Sequence, residues 1–278
     1  MTKNEDYYAR VSRYYDEDAA DFEARYEVNP VLQRIRQSFR EQVKRHRLRH
    51  VLEIGSGPGF DLAHFARIMP ETQWYGIDIS EEMCAAARRK IAEYGCENVR
   101  VECGGTEDIA DRFPGRTFDM VYVFFGALNT VADLERSAKD IYEALAPGGR
   151  AVLTFVNKYY AAGTAIELLK LRPRAAFARM RKIWGGYSPV RRLDSKCYSF
   201  SETKEAFADF RTEYARGYSI FYPAWYYRGL RKRIPDRILQ FLWQADERIA
   251  TSGLGRLGEY SLFVFRKPAQ VGQDLADQ

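Results

Sequence analysis

The chain has 278 residues, 46% of them apolar, and a formal net charge of +5, which is enough for one large α/β domain with insertions. No apolar run reaches the length of about 18 residues that a bilayer span requires, and the polar start, residues 1–6, has no apolar signal segment, so a cytoplasmic location is expected. The four cysteines, Cys84, Cys96, Cys103 and Cys197, form no C-x-x-C pair, and His46, His50 and His64 fit no ligand spacing; reduced thiols and no metal site are expected.

Charge is unevenly placed. Residues 1–27 carry eight acids against four bases, residues 34–49 seven bases and one acid, and residues 168–193 eight bases and no acid. A uniform surface would not read this way. Residues 7–28 set Tyr7, Tyr8, Tyr14, Tyr15, Phe22 and Tyr26 among acids. Tyr15, Phe22 and Tyr26 keep near-helical spacing, so an amphipathic helix is expected. Asn29 and Pro30 break it. A second helix should run from Val31 to His46, with Leu32, Ile35, Phe39 and Val43 along one stripe and a basic face left to solvent.

Val51, Leu52, Glu53 and Ile54 read as a buried strand, followed by the turn Gly55, Ser56, Gly57, Pro58, Gly59 and a helix from Phe60 to about Met69, with Pro70 at its end. Strand, glycine turn and helix is how an α/β fold lets a nucleotide approach the backbone. A dinucleotide fingerprint, G-x-G-x-x-G, would need glycine where Phe60 stands. The pattern is instead E-x-G-x-G-x-G, on Glu53, Gly55, Gly57 and Gly59. This resembles motif I of the class I S-adenosylmethionine (SAM) dependent methyltransferases. The resemblance implies a three-layer, Rossmann-like α/β sandwich. Its seven-stranded, mostly parallel sheet has strand seven antiparallel between strands five and six. It also implies SAM as cofactor, with the turn, Ser56 included, under the methionine part and Glu53 orienting turn and ligand. In many small-molecule members a tyrosine from an N-terminal cap closes over the site, which makes Tyr15 an acceptor-side candidate.

Gln73 to Asp78 reads as the second strand, ending 19 residues beyond Gly59 in a carboxylate that can accept from both ribose hydroxyls. The resemblance carries the ribose role to Asp78, sets Ile79 against the adenine and counts Met83 among the cofactor-binding residues. Ser80, followed by Glu81 and Glu82, reads as the N-cap and acidic first turn of a helix to about Tyr94. Val99 to Glu102 is the third strand. Where the family has an adenine-binding Asp this chain has Gly105, so Thr106, Glu107 or a backbone carbonyl is expected to meet the adenine amino group, unless Thr106 and Glu107 merely start a short helix.

Phe118 to Phe125 is apolar on both faces, as a central parallel strand should be. Its end, at Phe124, and the loop to Asn129 correspond to the part of the family that meets sulfonium and acceptor. Asn129 either positions an acceptor or serves as a loop or cap residue. A helix from Val131 to Leu145, a turn over Ala146 to Gly149 and a fifth strand from Ala151 to Val156 follow.

Beyond Asn157 the resemblance fades. A long insertion precedes a helix from Glu202 to Phe210; it brings Tyr159 and Tyr160 just past the strand and includes the basic run. Insertions at the functional end of a sheet often form lids or substrate walls. Glu213 to Phe221 and Glu259 to Phe265 read as strands six and seven. Between them, a helical stripe of Ile238, Leu242, Ala245 and Ile249, widened by Leu239 and Phe241, follows an aromatic and basic segment, residues 226–233. The domain reading is a helical cap over 1–48, a methyltransferase domain over 49–267 with insertions at 157–200 and 222–258, and a flexible tail over 268–278.

The implied function is SAM-dependent methyl transfer to a small-molecule acceptor that is anionic, carrier-linked or lipid-like. The alternatives are a SAM-binding assembly protein without catalysis and, less favoured, an RNA methyltransferase. The basic segments could also touch an anionic membrane surface, or be a solvated face. No DNA partner is expected. No residue stands out as catalytic, because an activated methyl needs alignment of the nucleophile before it needs a base.

Overall fold

The computed structural model describes residues 3–27, 29–185 and 192–269. In chain order the elements are α1 (Lys3–Glu27), α2 (Pro30–Lys44), β1 (His50–Ile54), α3 (Phe60–Ile68), β2 (Gln73–Asp78), α4 (Glu81–Glu93), β3 (Val99–Cys103), α5 (Ile109–Arg112), β4 (Phe118–Val123), α6 (Leu134–Ala144) and β5 (Leu145–Val156). The insertions and the sheet's far edge follow as α7 (Ala161–Leu169), α8 (Pro173–Ala176), α9 (Phe200–Ala206), β6 (Arg211–Tyr218), α10 (Arg228–Arg231), α11 (Asp236–Ile249) and β7 (Tyr260–Arg266).

The seven strands form one sheet of order β3-β2-β1-β4-β5-β7-β6. The pairs from β3 to β5 are parallel, and β7 runs antiparallel to both β5 and β6. Because successive side chains point to opposite faces, each central strand feeds two cores. Val51, Trp74, Met120, Tyr122 and Val152 pack with Ile35 and Phe39 of α2, Phe65 of α3 and Ala87 of α4. Leu52, Ile77, Val121, Val123 and Leu153 pack with Ile109 of α5, Ile141 of α6 and Phe200 of α9. The result is the expected three-layer sandwich.

Boundaries differ where side chains and positive φ angles intervene. β4 stops at Val123, not Phe125, because Phe125 (φ 54°) and Gly126 (φ 77°) turn the chain away. α6 starts at Leu134 rather than Val131 because Asp133 caps it through the amide of Arg136, at 3.1 Å. Strand pairing of β5 begins before the expected turn: Phe118 pairs with Leu145, then a register shift over Ala146 to Gly149 brings Met120 opposite Arg150. α9 starts at Phe200 because Ser199 and Glu202 form a reciprocal capping box. β6 ends at Tyr218, not Phe221, because the Asp246 carboxylate accepts from the amides of Ile220, Phe221 and Tyr222 at 2.8–3.1 Å.

Two expectations about helix faces are corrected. The basic face of α2 is not simply solvated: Arg36 and Arg40 donate to the buried Asp61 carboxylate at 2.8 and 2.6 Å, tying α2 to α3. On α11, Ile238 and Phe241 are exposed, and the inner face runs through Leu239, Leu242 and Trp243 instead. Among side chains of the cap, Phe22 and Tyr26 lie outside the described residues, as do positions 270–278 of the tail.

Candidate functional site

At the carboxyl ends of the parallel strands lies a cavity of about 970 Å³, near the upper end of the range of about 300–1,000 Å³ for small-molecule sites. The first crossover opens into it. Gly55 and Gly57 have φ of 69° and 51° and line the cavity. A Cβ at Gly55 would lie 2.5 Å from Cβ of Ala127, in the loop after β4. Positive φ and close approach together therefore demand glycine there.

Asp78 ends β2 at the cavity wall. Its carboxylate accepts from the Gly57 amide at 2.8 Å and the Ser80 amide at 3.0 Å. Burial raises its pKa, and the Ser80 and Gly57 hydrogen bonds work against that rise. Two donors leave a carboxylate with further accepting capacity. Ile79, Met83, Thr106, Glu107 and Phe124 line the same cavity. Thr106 is buried and donates to the Ser137 hydroxyl at 3.0 Å, whereas Glu107 is exposed. A carboxylate beside an open glycine turn and an apolar wall is a donor set that fits a ribonucleoside with an amino-acid arm.

Three residues expected at the cofactor stand apart from the cavity. Glu53 lies beneath the turn, where it accepts from the Tyr122 hydroxyl at 2.9 Å. Burial, aided by Asp61, pushes its pKa well above the carboxylate range. Gly59 faces α4, where a Cβ would sit 3.0 Å from Cβ of Ala87. Ser56 is buried behind the turn, close enough that a Cβ at Gly76 would lie 3.2 Å from it.

Of the acceptor-side candidates, Tyr15 and Tyr160 line the cavity. Tyr15 packs edge-on against Tyr14 at 5.1 Å. The Tyr160 hydroxyl accepts from the Ala224 amide at 2.9 Å, joining the two insertions. Tyr159 is 43% exposed and away from the cavity. Asn129 is fully buried: its Nδ2 donates to the carbonyls of Val156 and Lys196 at 3.1 and 2.6 Å, and its Oδ1 accepts from the Val156 amide at 2.8 Å. Its amide is thus committed to holding the end of β5, and the reading of Asn129 as a residue that positions an acceptor is corrected to a structural one.

Several cavity residues escaped the sequence reading. Tyr8, Val11 and Asp18 come from α1; Lys158, Glu167, Lys170 and Arg179 from the first insertion; Trp225 to Arg228 from the second; Glu259 from just before β7 and Tyr260 from its first position. Arg179 donates to the carbonyls of Asn157 and Glu259 at 3.2 and 3.1 Å and to the Tyr226 hydroxyl at 3.1 Å. Its guanidinium lies over the rings of Tyr160 and Trp184, about 5 Å from each centroid. Arg179 sits in the basic run, and Glu259 is an acid just before a mostly apolar strand; those were the only local signs of either. Among the described residues no group of three His, Cys, Asp or Glu could hold a metal ion, and no helix is long and apolar enough to cross a membrane.

Residues 51–149 match a family model described as a methyltransferase domain. A demethylmenaquinone methyltransferase of Symbiobacterium thermophilum is 32% identical over 111 residues, covering 39% of this chain and 43% of that protein. The ubiquinone/menaquinone biosynthesis C-methyltransferase UbiE of Escherichia coli is 33% identical over 110 residues, with the same coverage. The chain thus spans less than half the length of the curated relatives it matches. Among solved structures, the (4+2)-cyclase SpnF superposes with a TM-score of 0.57 at 20% identity, over 86% of this chain and 81% of that one. The matched segment, residues 51–149, is seated on the sheet order and cavity described above and is similar to a methyltransferase domain.

Proposed function

We propose that the chain transfers a methyl group from SAM to a small acceptor with a flat apolar body and a polar or anionic head. The observation that carries this reading is one continuous cavity reaching from Gly57 and Asp78 to Arg179 and Glu259. Its size allows cofactor and acceptor to meet inside it. Asp78 would hold the ribose hydroxyls, Gly55 and Gly57 would make room for the amino-acid arm, and Ile79 and Met83 would lie against the base. Thr106 and Glu107 are the candidates for its amino group, and Phe124 for the wall beside the methyl.

SAM supplies a methyl already activated on sulfur, so the chain's share is alignment and exclusion of water. Tyr15, Tyr160, Tyr226 and Trp184 offer apolar faces for a planar acceptor, and Arg179 and Lys170 offer charge for its head. The inward position of Lys158, Lys170 and Arg179 favours a small ligand over a nucleic-acid strand.

A (4+2)-cyclase shares the fold, so turnover must be measured as well as binding. Calorimetry with SAM and S-adenosylhomocysteine should give binding to the full chain, weakened tenfold or more by Asp78→Ala. Release of S-adenosylhomocysteine with a panel of phenols and quinols should follow. Asp78→Ala binding as tightly as wild type would remove the cofactor assignment, and binding without turnover would favour the non-catalytic alternative.

A further inference from the structure

We propose that Glu259 is the general base of the acceptor end, with Arg179 as its positioning residue. The proposal rests on the methyl-transfer reading above. Glu259 immediately precedes β7, whose Tyr260 pairs with Val156, the last residue of β5. Its backbone is pinned on both sides: its amide donates to the Tyr218 carbonyl at 2.7 Å, and its carbonyl accepts from the Asn157 amide at 2.9 Å. The residue is 1% exposed and lines the cavity. One carboxyl oxygen lies 3.6 Å from the Arg179 guanidinium. The other, Oε2, has no hydrogen-bond partner among the described residues. A buried carboxyl oxygen without a donor is costly, and an acceptor's O–H or N–H would remove that cost.

Arg179 cannot swing away, because two carbonyls, a tyrosine hydroxyl and two ring faces hold it. The charged and titratable groups around Glu259 are Arg179, Tyr160 and Tyr226. Burial pushes the carboxyl up and Arg179 pulls it back, leaving it at about 7, where a general base works best near neutrality. In the step, the acceptor's bond to hydrogen breaks and the proton passes to Oε2. The released electron pair forms the bond to the methyl carbon, while the methyl's bond to sulfur breaks and leaves its pair on sulfur. Water later takes the proton from Glu259.

Difference infrared spectra of the full chain between about pH 5 and pH 9 test the carboxyl directly. Wild type minus Glu259→Gln should show a protonated carboxyl band that titrates near neutrality, the Glu53 carboxyl being common to both and cancelling. Turnover of catechols or hydroquinones at saturating SAM should fall by roughly 10²–10⁴ in Glu259→Gln and recover in part in Glu259→Asp. Arg179→Lys should shift the pH profile of turnover. S-adenosylhomocysteine affinity should not change in Glu259→Gln. A carboxyl ionised throughout that range, or turnover retained within twofold, would overturn the proposal. A wild-type chain that fails to bind S-adenosylhomocysteine would overturn the reading beneath it instead.

A separate observation carries a second inference: we infer that the outer side of the segment from α7 to Ile183 docks on an anionic bilayer. Leu169 and Leu171 are 85% and 89% exposed, and Phe177 and Ile183 about half. Arg172, Arg174, Arg181 and Lys182 are exposed between them, and no acid occurs from 168 to 185. The inner side of the same segment, through Gly163, Ala176 and Arg179, walls the cavity. Apolar side chains ringed by bases without acids complement a negative lipid surface. A second copy of the same face would oppose like charges, which argues against self-pairing. Sedimentation with phosphatidylcholine vesicles, with and without phosphatidylglycerol, should show binding to the anionic ones alone, reversed by salt. The double variant Leu169→Glu, Leu171→Glu should weaken it tenfold or more and leave S-adenosylhomocysteine binding intact. Absence of binding to anionic vesicles, or self-association abolished by the same variant, would overturn the inference.

Discussion

The carboxylate of Asp16 accepts from the hydroxyl of Ser80 at 2.6 Å and, more weakly, from the Glu82 amide at 3.3 Å. Ser80 in turn caps α4 through the Met83 amide at 3.1 Å and lies two residues beyond Asp78. One contact thus ties the N-terminal cap to the turn that closes the cofactor end, with a negative charge at a helix N-terminus, where it is favoured.

Asp16→Ala should therefore cost about 1–2 kcal/mol of cap docking without unfolding the sheet. Hydrogen exchange is the measurement: amides of α1 should exchange faster, while those of β1 and β4 stay protected. Unchanged exchange over α1 would show that the contact holds nothing.

Gly55 and Gly95 separate two costs of a side chain. Both have positive φ, but a Cβ at Gly95 meets nothing within 4 Å, whereas one at Gly55 lies 2.5 Å from Cβ of Ala127. Gly95→Ala should cost about 1–2 kcal/mol from backbone strain alone. Gly55→Ala should cost about 2–5 kcal/mol, since overpacking adds to it, and should also lower S-adenosylhomocysteine affinity. Equal denaturation midpoints for the two variants would mean that the turn can move away from the loop after β4.

Asn129→Ala should strip partners from the Val156 amide and from the carbonyls of Val156 and Lys196. At about 1–3 kcal/mol for each buried group left unpaired, a large fall in melting temperature is expected. The folded fraction should bind S-adenosylhomocysteine normally. A variant that melts like wild type but loses turnover would return Asn129 to the acceptor site.

Local chemistry explains what could be read in advance. The glycine turn, the Asp78 carboxylate and the Ser80 cap lie within one β-α-β stretch, where spacing and backbone demand leave a trace in neighbouring residues. The Arg179–Glu259 pair is 80 positions apart in the chain, and neither residue has a local requirement that marks it. Asn129 had the right residue type at a suggestive place, but its burial against β5 depends on the loop's tertiary position. Glu53 shows the same limit: strand alternation placed it in the sheet, yet only the position of the Tyr122 hydroxyl on the neighbouring strand reveals that it faces the core beneath the turn.

Glu259 should also leave a signature in stability. Its carboxyl is raised to about 7 in the folded chain, against about 4.3 for an unperturbed glutamate. Between those values the folded state holds a proton that the unfolded state has lost, so stability falls as pH rises through this window. Below it both states are protonated and the carboxyl contributes its full share; above it the buried charge is carried at a cost on the order of 4 kcal/mol. Glu259→Gln imitates the protonated form at every pH. The variant should therefore melt close to wild type at about pH 4.5 and distinctly higher than wild type at about pH 8, the gap opening across the window. Parallel melting curves at both ends would mean that Arg179 holds Glu259 ionised throughout, and such a permanently paired carboxylate would be too weak a base for the role assigned to it.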